Sequence, residues 1–277
     1  MATVRQSGLQ TIEIKPAIGS RILADKGVLL SGNHADALRE MLEQRGVLVF
    51  PQVDFTEEEQ VSFTKTLGRF EPDGPEEKAT VISMDPGVNP SAALVRGAQM
   101  WHFDGYMNDV PVLASIMCGK VLATTGGDTE FANTYAAYEA LPDDRKQQLE
   151  GLTAVHAIAA AQMSVEPEPS YAEFSKWLKI PRNTLPLVWK HRSGRKSLVI
   201  GNSAAGIVGM DPLESRELLV WLRDWTTQEH FTYRHEWSVG DAVMWDNTGT
   251  LHRATPYDAQ SGRLMFRTKL AGEEPFA

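Results

Sequence analysis

Two polar side chains stand two residues apart inside an otherwise apolar, aromatic run, Trp101-His102-Phe103-Asp104-Gly105. That spacing predicts a strand, because side chains alternate across a strand and residues i and i+2 leave the same face. An imidazole and a carboxylate facing an apolar core without partners are costly, so something polar must meet them. A second imidazole would complete the two-histidine, one-carboxylate facial set that holds non-haem Fe(II) and leaves positions open for other ligands. A His-x-Asp pair alone is more often a surface or structural feature, so the metal reading depends on a third ligand elsewhere.

The other histidines are His34, His156, His191, His230, His235 and His252. His34 opens an amphipathic helix, His191 lies in a turn, and His230 and His235 flank a strand with opposite parity; each reads as structural or solvated. His252 differs. It follows Met244-Trp245-Asp246-Asn247-Thr248-Gly249-Thr250-Leu251, a strand-turn-strand element that places it at the start of a second strand. Ligands supplied by separate strands suit a rigid metal site.

The 277 residues, 42% of them hydrophobic, suffice for a sizeable core. A net charge of -9 and a pI near 5.3 argue against a nucleic-acid or anionic-membrane surface, so a basic side chain in a pocket carries local meaning. The lone cysteine, Cys118, excludes an internal disulfide and a thiolate cluster, and its apolar neighbours predict an inert core thiol. Met1-Ala2-Thr3-Val4-Arg5 has no apolar leader core and no run reaches the ~18 apolar residues of a membrane span, so a cytoplasmic location is expected.

Along the chain, Thr11 to Lys15 alternates like a half-buried strand, Ala35 to Gln44 has helical spacing, and Val47-Leu48-Val49-Phe50 reads as a buried strand. Thr56 with Glu59 forms a capping box that opens a helix to Leu67. Residues 71–99, rich in Pro, Gly, Asp and Glu, predict a loop. Val112 to Leu122 predicts a long strand, followed by the turn Thr124-Thr125-Gly126-Gly127-Asp128-Thr129 and two short helices broken by Pro142. Residues 155–185 show no clean period and read as a lid-like insertion. Asp211-Pro212 caps the strongest helix, expected to bury Leu218, Leu219 and Leu222. Strands follow at 231–237, 241–245 and 263–270. Many short strands with few helices favour a sandwich or jelly roll, and no glycine-rich nucleotide loop is present.

On the last strand Arg263 and Arg267 share a face about 13 Å apart, at roughly 3.3 Å per residue, too far to serve one group. Two inward guanidinium groups need anions, and bidentate carboxylate recognition suits their geometry. The plain alternative is pairing with acidic side chains such as Asp246 or Glu236.

His102-x-Asp104, Gly126-Gly127-Asp128-Thr129, Trp245-Asp246-Asn247 with His252, and Arg263 with Arg267 together resemble the taurine dioxygenase/2,4-dichlorophenoxyacetate dioxygenase (TauD/TfdA) family, from about Thr11 to Leu270. The resemblance implies an α+β fold with a mainly β core, a double-stranded β-helix (jelly roll) with helices packed outside, in one domain over 1–277. It implies an oxygenase that uses Fe(II), the cosubstrate 2-oxoglutarate and O2. Carried over, it makes His102, Asp104 and His252 the iron ligands and lets Arg263, helped by the Thr129 hydroxyl, hold the distal carboxylate of 2-oxoglutarate. Arg267 matches the position that meets an anionic substrate group. Where the taurine enzyme has a substrate-contacting histidine, the stretch Leu67-Gly68-Arg69-Phe70-Glu71 places Glu71, whose charge would repel a sulfonate.

The expected activity is hydroxylation of a small, anionic organic substrate with release of succinate and carbon dioxide. Desaturation by the same family chemistry stays open, whereas Asp104 fills the ligand position that a halogenase leaves to halide. Two rivals come from other classes: a metal- and 2-oxoglutarate-binding jelly-roll protein without turnover, and a zinc hydrolase on the same triad. A hydrolase has no need of Arg263 and Thr129. The expected partner is a small molecule, with neither nucleic acid nor membrane, and assembly into a homo-oligomer is left open.

Overall fold

The computed structural model describes residues 3–6, 8–89 and 91–277. Met1 and Ala2, the start of the stretch read above for a leader, lie outside the described residues, as do Ser7 and Pro90. The structure is a sheet-rich mixture of strands and helices. The larger sheet has eight strands in the spatial order Thr3–Gln6, Leu9–Glu13, Ser20–Leu23, Val47–Phe50, Ala242–Asp246, Ala114–Val121, Leu264–Leu270 and Thr80–Ile82. Its neighbours run antiparallel except Ser20–Leu23 with Val47–Phe50. A smaller antiparallel sheet places Thr129–Asn133 between Thr232–His235 and Thr250–Ala254.

Period-two alternation sorts the core. Val47, Val49, Val243 and Trp245 of the larger sheet pack with Phe131 of the smaller one, so this face lies between the sheets. Leu48, Phe50, Ile116 and Met244, on the opposite face, pack with Leu38, Leu42, Phe63 and Leu67 from the helices Ala35–Arg45 and Glu57–Leu67. A strand covered on both faces reads as a continuous apolar run, which is why Val47–Phe50 shows no alternation in composition. Thr56 caps the second helix through the reciprocal bonds expected of its pairing with Glu59. Cys118 is buried in the helix-covered core, and burial pushes its thiol up to about 12, consistent with an inert side chain.

Three expectations change. Trp101–Gly105 is not a regular strand: His102 makes an isolated antiparallel bridge to His252, and Gly105 turns the chain away at a positive φ of 92°. A Cβ there would sit 2.8 Å from the Val112 backbone nitrogen, so the turn requires glycine. Residues 71–99 hold the edge strand Thr80–Ile82, a short helix Ala92–Val95 and a 3₁₀ turn Arg96–Gln99. Residues 155–185 contain the helices Ile158–Met163 and Tyr171–Trp177, bounded by Thr153–His156 and Asn183–Pro186, which pair with each other. The aperiodicity there reflects short elements changing direction every few residues.

The helix Pro212–Thr226 starts at Asp211, whose carboxylate accepts from the Leu213 and Glu214 N–H groups. It buries Leu218, Leu219 and Leu222 and packs against the Ala204–Ile207 strand and the Thr134–Glu139 helix. No helix among the described residues is long and apolar enough to cross a membrane. Leu222 is fully buried and Leu213 is 81% exposed. Leu222→Ala should cost about 2–5 kcal/mol in urea unfolding, and Leu213→Ala under about 0.5 kcal/mol. Equal effects would mean that this helix does not bury the face described.

Candidate active site

The His102–His252 bridge is the floor of the site. Each residue's N–H donates to the other's carbonyl, at 3.0 and 2.8 Å. Residues directly opposite one another in an antiparallel pair present their side chains on one side, and the two imidazole centroids lie 4.1 Å apart. Asp104, two residues beyond His102, completes the cluster: its Oδ1 is 4.0 Å from His102 Nε2 and its Oδ2 is 4.0 Å from His252 Nε2. These gaps are too long for hydrogen bonds and short enough for one shared ion. One donor atom from each of the three residues lies within 4.8 Å of the others.

The donor chemistry fits a divalent ion. His102 Nδ1 lies 2.8 Å from the Met100 carbonyl, which must accept its proton and so leaves a lone pair on Nε2. His252 Nδ1 is buried without a protein partner, and its ring packs against Trp245 at 4.8 Å. Burial lowers the pKa of both histidines and so favours the neutral form that a metal ligand requires. Burial alone would raise Asp104, yet Arg267 and the two histidines hold it well below the usual carboxylate range.

A cavity of about 520 Å³ opens over the cluster, with Thr129, Arg263 and Arg267 also in its walls. The guanidinium of Arg263 is buried; its Nη2 donates to the Gly127 carbonyl at 3.0 Å, its Nε has no partner, and Tyr257 stacks on it at 4.7 Å. Burial lowers the Arg263 pKa while Tyr257 opposes the shift. A Cβ on Gly127 would lie 3.0 Å from Arg263 Nε, so that glycine makes room for the arginine.

Arg267 is engaged differently. Its Nη1 donates to Asp104 Oδ2 at 3.1 Å and its Nη2 to Asp73 Oδ2 at 3.2 Å, leaving Nε buried and unpartnered. Lys269 also reaches Asp73, at 2.5 Å. Among the described residues, neither Asp246 nor Glu236 meets either arginine; Asp246 accepts from Thr248 instead.

Glu71 lies at the start of the loop that leads to the cavity. Its N–H donates to the Lys269 carbonyl at 3.0 Å. Asp73, further along the same loop, is the acid that reaches Arg267, and nothing in that polar stretch distinguishes it locally. Tyr106 was also missed; it lines the cavity with its hydroxyl unpartnered, and burial raises its pKa to about 12. The remaining core histidines are engaged elsewhere: His156 with Ser203, His191 with Glu274 and His235 with Asp241.

Such a sheet-rich fold, with two histidines and one carboxylate able to hold a metal ion beneath a cavity whose wall carries a buried arginine, has the form of a metal-dependent enzyme site. The family described as "Taurine catabolism dioxygenase TauD, TfdA family" matches residues 10–269, and the chain belongs to it. It is 36% identical to an alpha-ketoglutarate-dependent 2,4-dichlorophenoxyacetate dioxygenase of Burkholderia sp. strain RASC, over 90% of this chain and 89% of that protein. It is 34% identical to an (S)-phenoxypropionate/alpha-ketoglutarate-dioxygenase of Sphingobium herbicidovorans, over 82% of each. The crystal structure of AAD-2 in complex with Mn(II) and N-oxalylglycine superposes with a TM-score of 0.82 at 30% identity, covering 100% of both chains.

Metal-free protein should take up one Fe(II) per chain in anaerobic equilibrium dialysis, and His102→Ala and His252→Ala should each weaken uptake by about 100-fold or more. Unchanged uptake in both variants, with unaltered thermal unfolding, would remove these residues from the metal site.

Proposed function

We propose that this chain is an Fe(II)- and 2-oxoglutarate-dependent dioxygenase that hydroxylates a small organic anion. The carrying observation is Arg263: a buried guanidinium with an unpartnered Nε, in the same cavity wall as the His102, Asp104 and His252 cluster. A buried cation without a carboxylate is costly unless a ligand supplies one.

His102, Asp104 and His252 would hold the metal. Bound there with 2-oxoglutarate and O2, Fe(II) supplies the oxidation of an unactivated C–H bond while the cosubstrate leaves as succinate and carbon dioxide. Arg263 would hold the distal carboxylate of 2-oxoglutarate through a charge-assisted pair, with the Thr129 hydroxyl donating to the same group. The apolar walls, among them Ile82, Leu94, Phe103 and Ile158, would exclude water and seat the body of the substrate. Arg267 would meet the substrate's anionic group through its unpartnered Nε, beside the Nη2 that donates to Asp73. Asp104 would remain ionised beside Arg267 and so keep its place as a ligand.

We read the strands of the two sheets as the double-stranded β-helix of a single catalytic domain over 1–277, with 155–185 as a cover. Support for the cover is that Ile158, Ala161 and Gln162 belong to the cavity wall.

Oxygen uptake and succinate release that both require 2-oxoglutarate separate this reading from a zinc hydrolase and from a binding protein without turnover. Arg263→Ala should raise the 2-oxoglutarate concentration for half-maximal turnover by about 10²–10³-fold, as expected for truncating one partner of a buried charge pair. Iron uptake should persist. Normal turnover in that variant would make Arg263 a structural residue. For Arg267→Ala, the 2-oxoglutarate decay seen without substrate should continue while stimulation by phenoxyacetate-type acids disappears. Full stimulation in that variant would remove Arg267 from the substrate site.

A further inference from the structure

Trp237 takes no part in the metal cluster, yet its indole Nε1 lies 3.0 Å from Thr129 Oγ1. An indole N–H can only donate, so the Thr129 oxygen must accept, and its own O–H proton is left for another acceptor. Among the described residues nothing takes that proton, and Thr129 is buried in the cavity wall that also contains Arg263.

The indole is held on several sides. Tyr233, His235 and Trp237 alternate, and His235 sits edge-on to the Trp237 ring at 4.6 Å and 86°. His235 is buried 3.2 Å from Asp241, whose carboxylate also accepts from the Gln52 and Ser238 N–H groups at 2.8 and 3.0 Å. A Cβ on Gly119 would approach Trp237 Cε3 to 3.3 Å, so the absence of a side chain there opens space for the ring. His235 and Thr129 are cross-strand partners, which brings this assembly beside the Thr129 hydroxyl.

We propose that Trp237 is a positioning residue for the cosubstrate: by donating to Thr129 Oγ1 it commits the Thr129 hydroxyl to donate to the 2-oxoglutarate carboxylate held by Arg263. The inference rests on the reading of Arg263 and Thr129 given above. Without the indole N–H, the hydroxyl can rotate, and ligand binding must then order a proton that the native protein holds in place.

The test is anaerobic calorimetric titration of 2-oxoglutarate into the full chain loaded with Mn(II). Trp237→Phe, which keeps a ring and removes the donor, should weaken binding about three- to fivefold, since a single oriented hydrogen bond contributes about this much. Metal uptake and thermal unfolding should stay near the native values. In turnover, KM for 2-oxoglutarate should rise while kcat at saturation is retained. In a Thr129→Ala background, Trp237→Phe should have no further effect. Equal weakening in both backgrounds would show that the ring acts by packing alone and overturns the inference, as does unchanged binding in Trp237→Phe. Arg263→Ala serves as the control: if it too leaves 2-oxoglutarate binding intact, the cosubstrate reading fails and this inference with it. If Arg263→Ala weakens binding and the Trp237 effects are additive, this inference alone fails.

Discussion

The reciprocal backbone pairing of His102 with His252 is the contact on which the site depends. It joins a segment outside regular secondary structure to the middle of the Thr250–Ala254 strand, at a point where both side chains leave on one side. Two hydrogen bonds therefore set the separation of two imidazoles, and Asp104 follows from its place two residues along. The strand carrying His252 is itself held by Thr129–Asn133, so the candidate cosubstrate threonine and one candidate metal ligand ride on paired strands.

Around this bridge the charges alternate. Asp104 lies against Arg267, Arg267 against Asp73, and Asp73 against Lys269. Such a row keeps an ionised carboxylate and a guanidinium in a largely buried place, where either alone would be expensive. Arg263 stands outside the row: Tyr257 covers one face of its guanidinium and Gly127 accepts from one edge. The strand begins at Leu264, so Arg267 lies within it and Arg263 just before it, and the two arginines differ in what they can still bind.

The sheets hold one wall of the site in place. Val47, Val49, Val243, Trp245 and Phe131 fill the space between them, and Trp245 and Phe131 both contact the His252 ring, at 4.8 and 6.4 Å between centroids. The side chains that close the inter-sheet core therefore also set the orientation of a candidate ligand.

Much of this was legible in the chain itself. The capping box at Thr56, the Asp211-Pro212 helix start, the buried run at Val47–Phe50 and the strand carrying Arg267 follow from local rules of capping and periodicity, which act over a few residues. The i, i+2 spacing of His102 and Asp104 was equally local, although the element that presents them is a bridge rather than a strand. The alternation of Tyr233, His235 and Trp237 was also there to read, but only the pairing of His235 with Thr129 shows what the indole meets. Tertiary structure decided which histidine faces His102, and that Asp73, rather than Asp246 or Glu236, reaches Arg267. It also left Arg263 without a carboxylate while Arg267 acquired two. Local sequence governs backbone conformation and the face a side chain takes, whereas the partner of a buried charge depends on which distant segments the core brings together.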